Sequence, residues 1–363
     1  MQSLKRLCLD FLPIALLVGC VNANAAQHCV VLQYHHVSGD TPGITSVTPE
    51  QFQQHLDYLH EHHFHVLPLS EVVGRLKARQ ELPDDCVALT IDDAFVSAYT
   101  EAWPRARRYG YPLTVFVSTE SVDRQLPAFM TWDQMREMAG DGVAFQNHSR
   151  SHDHLVRLHE GESMDDWEQR VASDILRAQN RIKTELGTTP ALFAYPYGEY
   201  NLSLSRLVRS MGLTGFGQQS GPAWADGDFG ALPRFPMNTV YANMRTFPTK
   251  VRTLPLPIVS AEPQEPLVED TVWQPTLTLT FKPGVAHAER LTCFVNGSPE
   301  VEYRWSPDGR VVVVTPKGVL QVGRNRYNCT LPGPEGRYHW YSHLWMRRNA
   351  DGSWYREVSV SGH

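Results

Sequence analysis

Two acidic side chains stand together at Asp92 and Asp93, where the apolar run Val87-Ala88-Leu89-Thr90-Ile91 ends. Two histidines four residues apart, His148 and His152, follow the second apolar stretch Val143-Ala144-Phe145-Gln146. One carboxylate and two imidazoles supply three ligands to a divalent metal and leave coordination positions open. The second carboxylate remains to act as a base. This is the equipment of metal-assisted hydrolysis, in which the ion acidifies a bound water and polarises a carbonyl. Each motif has a plain structural alternative: an Asp-Asp pair is a common helix N-cap, and a His pair fits a solvated turn. Their joint occurrence at two strand ends favours the chemical reading.

The elements that must position these groups alternate in type. Apolar strand candidates lie at residues 29–34, 86–91, 113–117, 143–146, 192–195 and 214–217, with amphipathic helical patterns between them. Thr48-Pro49-Glu50-Gln51 is a capping box with proline at the first helical position, and it predicts a helix to about His62. A second, long helix is expected from Ser163 to Leu186, stopping at Gly187. Nearly all-apolar strands separated by helices imply an α/β fold with a parallel sheet, closed or nearly closed. In parallel barrels, reactive residues collect at the carboxyl ends of strands. Asp92, His148 and Tyr197 all fall at such ends.

Beyond residue 254 the composition changes. Leu254-Pro255-Leu256-Pro257 and Glu262-Pro263-Gln264-Glu265-Pro266 read as a proline-rich extended connector. Short alternating strands with turns at Pro307-Asp308-Gly309 and Asp351-Gly352-Ser353 follow, and predict a small β-sandwich of roughly immunoglobulin type. The expected division is therefore an export segment at 1–26, a barrel at 27–258, a linker at 259–275 and an all-β accessory domain at 276–363.

The N-terminus reads as an export signal, with Lys5 and Arg6 before a short apolar stretch at 11–18. Two processing readings stay open. Ala23-Asn24-Ala25 fits a small-x-small cleavage site, and Leu17-Val18-Gly19-Cys20 fits a lipoprotein box that would place a lipid anchor on Cys20. Periplasm or outer membrane is the expected location, with secretion as a further alternative. Export leaves Cys29, Cys86, Cys293 and Cys329. Cys29 and Cys86 begin strands expected to be neighbours, and Cys293 and Cys329 share the C-terminal region, so two within-domain bridges are expected. A formal net charge of −6 and a charged fraction of 20% without a basic block argue against a nucleic-acid partner.

With these motifs in place, the chain resembles the polysaccharide deacetylases of carbohydrate esterase family 4, the NodB-homology domain. The resemblance rests on Thr90-Ile91-Asp92-Asp93, on His148-Ser149-Arg150-Ser151-His152 and on Ala194-Tyr195-Pro196-Tyr197-Gly198, and it covers about residues 29 to 258. It implies a distorted (β/α) barrel of about seven parallel strands. It also implies a divalent metal, zinc first with cobalt or nickel as alternatives, held by Asp93, His148 and His152. Asp92 would be the general base, and the backbone N–H of Tyr197, positioned by Pro196, would receive the developing oxyanion.

The chain departs from the family in two places. The third motif lacks its arginine, and Arg234 in Leu232-Pro233-Arg234-Phe235-Pro236 is the expected replacement. The C-terminal Leu-x-His motif that carries the family's acid matches Leu254-Pro255-Leu256, which has no histidine. His35 is placed as the acid, with His36 and His154 as alternatives or as substrate-binding groups beside Pro196. Asp226 and Asp228 are only weakly similar to the family's acidic fourth motif. The histidines between 55 and 65 are expected to be ordinary, and the aromatics of the C-terminal domain to fill its core and seam, with sugar stacking as the alternative. The implied activity is N-deacetylation of an N-acetylhexosamine polysaccharide. Removal of O-acetyl groups from a glycan, or a catalytically weak carbohydrate-binding role, are the competing readings.

Overall fold

The computed structural model describes residues 25–356, so the expected export signal lies outside the described residues apart from Ala25 and Ala26 at its end. Eight strands of the nine-stranded main sheet position the site: β1 (His28–Tyr34), β2 (Cys86–Ile91), β3 (Leu113–Val117), β4 (Ala144–Asn147), β5 (Leu192–Ala194), β6 (Thr214–Phe216), β7 (Ala223–Trp224) and β8 (Phe235–Pro236). The order β6-β5-β4-β3-β2-β1 is parallel throughout, β7 pairs antiparallel with the start of β1, and β8 runs parallel to β1 at Leu32 and Gln33. Segment 229–236 then bridges the two edges. Leu232 pairs with Phe216 on one side and Phe235 with Leu32 on the other. The approach is close enough that a Cβ on Gly215 would lie 2.0 Å from the Gly230 carbonyl oxygen, so only glycine fits there. The sheet is a curled, distorted (β/α) barrel, as expected.

Strand periodicity sorts the side chains. Val30, Leu32 and Tyr34 of β1 face outward and pack on the helix Pro49–Glu61 through Phe52, Leu56 and Leu59. Cys29 and Val31 face inward with Ala88, Phe116, Ala194, Phe216 and Leu232. The same alternation carries Gln33, Thr90 and Arg234 inward, where they replace the apolar layer with a polar one. Both helices read from the sequence form with their caps. Thr48 and Gln51 make the reciprocal capping box, and Ser163 caps Met164–Leu186, which ends on left-handed Gly187 (φ 73°). Among the described residues no helix is long and apolar enough to cross a membrane.

The C-terminal unit is two four-stranded sheets. One holds β9 (Leu254–Pro255), β12 (Thr292–Val295), β15 (Gly323–Pro332) and β16 (Tyr338–Arg347). The other holds β10 (Ile258–Glu262), β11 (Leu277–Phe281), β13 (Val301–Trp305) and β14 (Val311–Pro316). The proline-rich stretch expected as a connector thus contributes β9 and β10 to this unit, because Leu256 and Ile258 carry apolar side chains into its core. Trp345 and Tyr327 fill the interior, whereas Trp340 packs edge-on against Phe235 of the barrel. Leu344 and Met346 of β16 join one buried cluster with Phe193, Tyr195 and Trp167, so the two units share a buried apolar cluster at their seam.

Disulfides join Cys29 to Cys86 and Cys293 to Cys329. The first ties the starts of β1 and β2 across 57 residues of sequence. Replacing both Cys29 and Cys86 by serine should lower unfolding free energy by about 2–5 kcal/mol, read as an earlier denaturant midpoint at unchanged slope.

Candidate active site

The polar layer at the carboxyl end of the barrel is organised by a buried carboxylate, Asp92. Asp92 and Arg234 are both fully buried. The guanidinium of Arg234 donates in a fork to Asp92, Nη1 to Oδ1 at 2.7 Å and Nη2 to Oδ2 at 2.8 Å. Its Nε donates to the Gly217 carbonyl at 3.0 Å, Nη1 also reaches Thr90 Oγ1 at 3.2 Å, and the group lies over the Phe116 ring. Gln33 Nε2 donates to Asp92 Oδ2 at 2.6 Å. Burial alone would push the Asp92 carboxyl up. The Arg234 charge and hydrogen bonds outweigh it, with His148 and His35 adding to them, and hold the carboxyl below its ordinary value.

Beside this pair lies the three-ligand cluster. Asp93 Oδ1 is 3.1 Å from His148 Nε2 and 3.0 Å from His152 Nε2. That oxygen is buried and has no hydrogen-bond partner among the described residues. Three acceptor atoms converging on one point fit a divalent cation. His148 Nδ1 donates to the Ala194 carbonyl oxygen at 2.8 Å, which leaves the Nε2 lone pair facing Asp93. The backbone is strained where the motifs turn: Asp93 (φ 72°), Ala94 (φ 64°), Ser149 (φ 65°), His152 (φ 57°) and Tyr197 (φ 59°) are all left-handed. Non-glycine residues enter this region at a cost of about 1–3 kcal/mol each and cluster at functional sites.

Tyr197 caps the opposite side. Its ring stacks on His154 at 3.9 Å and meets His152 edge-on at 4.7 Å. Pro196 is buried beneath it. Gly198 is required here on two counts: its φ is 68°, and a Cβ would fall 2.6 Å from the Gln218 side chain.

The three histidines expected near the acid position part company. His35 sits against the polar layer, where burial lowers its pKa and the charges of Asp93 and Asp92 oppose that shift. His36 turns away to stack on Phe95 at 3.6 Å, and burial holds its pKa at about 4. His154 Nδ1 is held by Glu199 at 2.8 Å. Leu254-Pro255-Leu256 is taken up by the C-terminal unit. Asp226 is engaged by Arg79 and Lys282, and Asp228 caps the Gly230 amide, so both are structural. His55 is a core residue bonded to the Tyr34 hydroxyl and the Ala242 carbonyl.

Gln33 and Glu199 were not anticipated. Gln33 had a signal, as the one amide inside the run Val30-Val31-Leu32-Gln33-Tyr34. Glu199 had none. It lies just after the third motif, and its partners come from distant segments.

A distorted barrel with an Asp-His-His cluster and a buried ionised aspartate at its carboxyl face defines the class. Residues 79–216 match the polysaccharide deacetylase family. The chain is 24% identical over 194 residues to the poly-β-1,6-N-acetyl-D-glucosamine N-deacetylase of Staphylococcus epidermidis, covering 52% of this chain and 67% of that protein. Its fold is similar to IcaB from Ammonifex degensii (TM-score 0.54, 24% identity, 63% of this chain and 98% of that one). It is also similar to a de-N-acetylase from Aggregatibacter actinomycetemcomitans (TM-score 0.55, 20% identity, 61% and 99%).

Replacing Arg234 by methionine leaves the Asp92 charge buried and unpaired. The expected loss is about 3–5 kcal/mol of stability, measured by urea unfolding. A second prediction concerns pH. Burial pushes the Glu199 carboxyl up, but His154, Tyr355 and Arg157 together hold it below its ordinary value. A depressed folded pKa gives stability that is complete above the unfolded value, about 4.3, and is lost as pH falls through the folded one. Glu199→Gln should therefore flatten the acid limb of a stability-versus-pH curve below about pH 4.

Proposed function

We propose that this protein is a metal-dependent hydrolase that removes N-acetyl groups from N-acetylhexosamine residues of an extracellular or envelope polysaccharide. The carrying observation is the Asp92 carboxylate, kept ionised by Arg234 beside a cluster of cation ligands. A structural metal site needs no base next to it. The relatives named as N-deacetylases support the bond type, and two disulfides fit an exported protein. Zinc is the proposed ion, with cobalt or nickel compatible with the same nitrogen and oxygen donors. Asp93, His148 and His152 would hold it. When bound, it supplies Lewis acidity toward a water and toward the acetamide carbonyl.

The chain's own residues carry the proton and charge transfers. Asp92 takes a proton from the attacking water, and Arg234 and Gln33 keep that carboxylate from rotating or protonating early. The N–H of Tyr197 would receive the negative charge that develops on the acetyl oxygen, with Pro196 fixing the chain ahead of it. The amine must gain a proton to leave. His35 in its protonated form is the proposed donor, since the charges of Asp93 and Asp92 favour that form against burial, whereas His36 is committed to Phe95 and His154 to Glu199. Pro196, His36 and His154 remain to shape the sugar-binding surface. The polysaccharide is the proposed partner. A lipid anchor at Cys20 is compatible with the sequence.

Asp92→Asn should lower the rate of acetate release from an N-acetylglucosamine oligomer by about 100- to 10,000-fold while metal content and oligomer binding persist. Persistence of turnover would remove Asp92 from the role of base. An acetylated xylan assayed in parallel separates N- from O-deacetylation, and release from xylan alone would replace the proposed bond.

A further inference from the structure

The carboxylate of Glu199 is fully buried and touches none of the proposed metal ligands, yet four groups converge on it. His154 and Arg157 come from the loop after β4, at 2.8 Å and 3.3 Å. Tyr355 and Arg324 come from the C-terminal unit: the Tyr355 hydroxyl donates to Glu199 Oε1, and the Arg324 guanidinium lies 3.8 Å from the same oxygen. Arg157 ties the two sides together, because its Nη1 donates to the Tyr355 carbonyl at 2.9 Å and its guanidinium covers the Trp354 and Tyr355 rings.

Arg324 does more than dock the domains. Its Nη1 donates to the carbonyl oxygen of Tyr197 at 2.9 Å, and its guanidinium stands over the Tyr197 ring at 5.6 Å. Tyr197 holds a left-handed backbone (φ 59°, ψ 2°) that a tyrosine does not adopt without support. Pro196 restricts the chain on one side of its N–H, and Arg324 holds the next carbonyl on the other. The backbone that carries this N–H is thereby held on both sides. Elsewhere the seam uses contacts that reach no residue of the catalytic face, such as Arg337 with Asp84.

We propose that the C-terminal β-domain is a working part of the active site, with Arg324 as a positioning residue that holds the Tyr197 loop and Glu199 as its anchor. The proposal rests on the deacetylase reading only for its catalytic consequence; the clamp itself is a statement about the loop.

The test uses the full chain with Arg324→Ala, Arg324→Lys, Tyr355→Phe and, as a seam control, Arg337→Ala. Acetate release from an N-acetylglucosamine oligomer, zinc content and amide hydrogen exchange over 195–200 are measured for each. Arg324→Ala should lower kcat by roughly 10- to 100-fold, the scale of a misplaced catalytic group. KM should change by less than about threefold and zinc content not at all, since neither the substrate's ground-state contacts nor the metal ligands are touched. Arg324→Lys should recover part of the loss, and exchange should quicken at 195–200 but not at 145–152. Unchanged kcat with unchanged exchange overturns the proposal, and so does an equal loss in Arg337→Ala, which would mean domain docking alone. If the wild-type protein releases no acetate, the deacetylase reading fails, and exchange decides the clamp: faster exchange in Arg324→Ala upholds it, and unchanged exchange overturns it.

Discussion

The bidentate bond between Arg234 and Asp92 is the constraint around which the barrel is arranged. An ionised carboxylate in a protein interior is costly unless it is paired and fully hydrogen-bonded. Here the partner arrives on segment 229–236, the same stretch that bridges β6 to β1 and closes the sheet. Closure of the barrel and ionisation of the proposed base are therefore one structural event. Gln33 and Thr90 complete the layer because strand alternation turns them inward above Val31 and Ala88.

That arrangement explains how the domain tolerates the absence of an arginine in its third motif. Ala194 stands at the arginine's position, and the hydroxyl of the neighbouring Tyr195 donates to the Gly230 carbonyl at 2.6 Å, which secures the start of the same closing segment. The guanidinium needed at Asp92 then comes from β8's leading edge instead of from β5. One strand end gives up the charge and holds the segment that supplies it.

Much of this was legible in the sequence for a physical reason. Buried parallel strands must be apolar on both faces, so β1 to β6 stood out, and the reactive residues had to lie where those runs stop. Arg234 was readable because the third motif lacks its arginine and a guanidinium at a neighbouring strand end could replace it. Other features were illegible because they depend on pairing across long sequence separations. The prolines at 255 and 257 suggested a solvent-exposed connector, yet tertiary packing of Leu256 and Ile258 draws that stretch into the C-terminal sheets. The Glu199 hub joins residues from 154 to 355, and no local pattern announces it. Asp226 and Asp228 had the right residue type, but Arg79, Lys282 and the Gly230 amide take up their charges.

The most direct test is a zinc titration of metal-stripped protein, with acetate release from an N-acetylglucosamine oligomer followed at each addition. The account predicts no release without metal and a rise that saturates at one equivalent per chain, set by the single Asp93-His148-His152 cluster found among the described residues. Release that persists in the stripped protein, or stoichiometric zinc binding with no release at any addition, would contradict it.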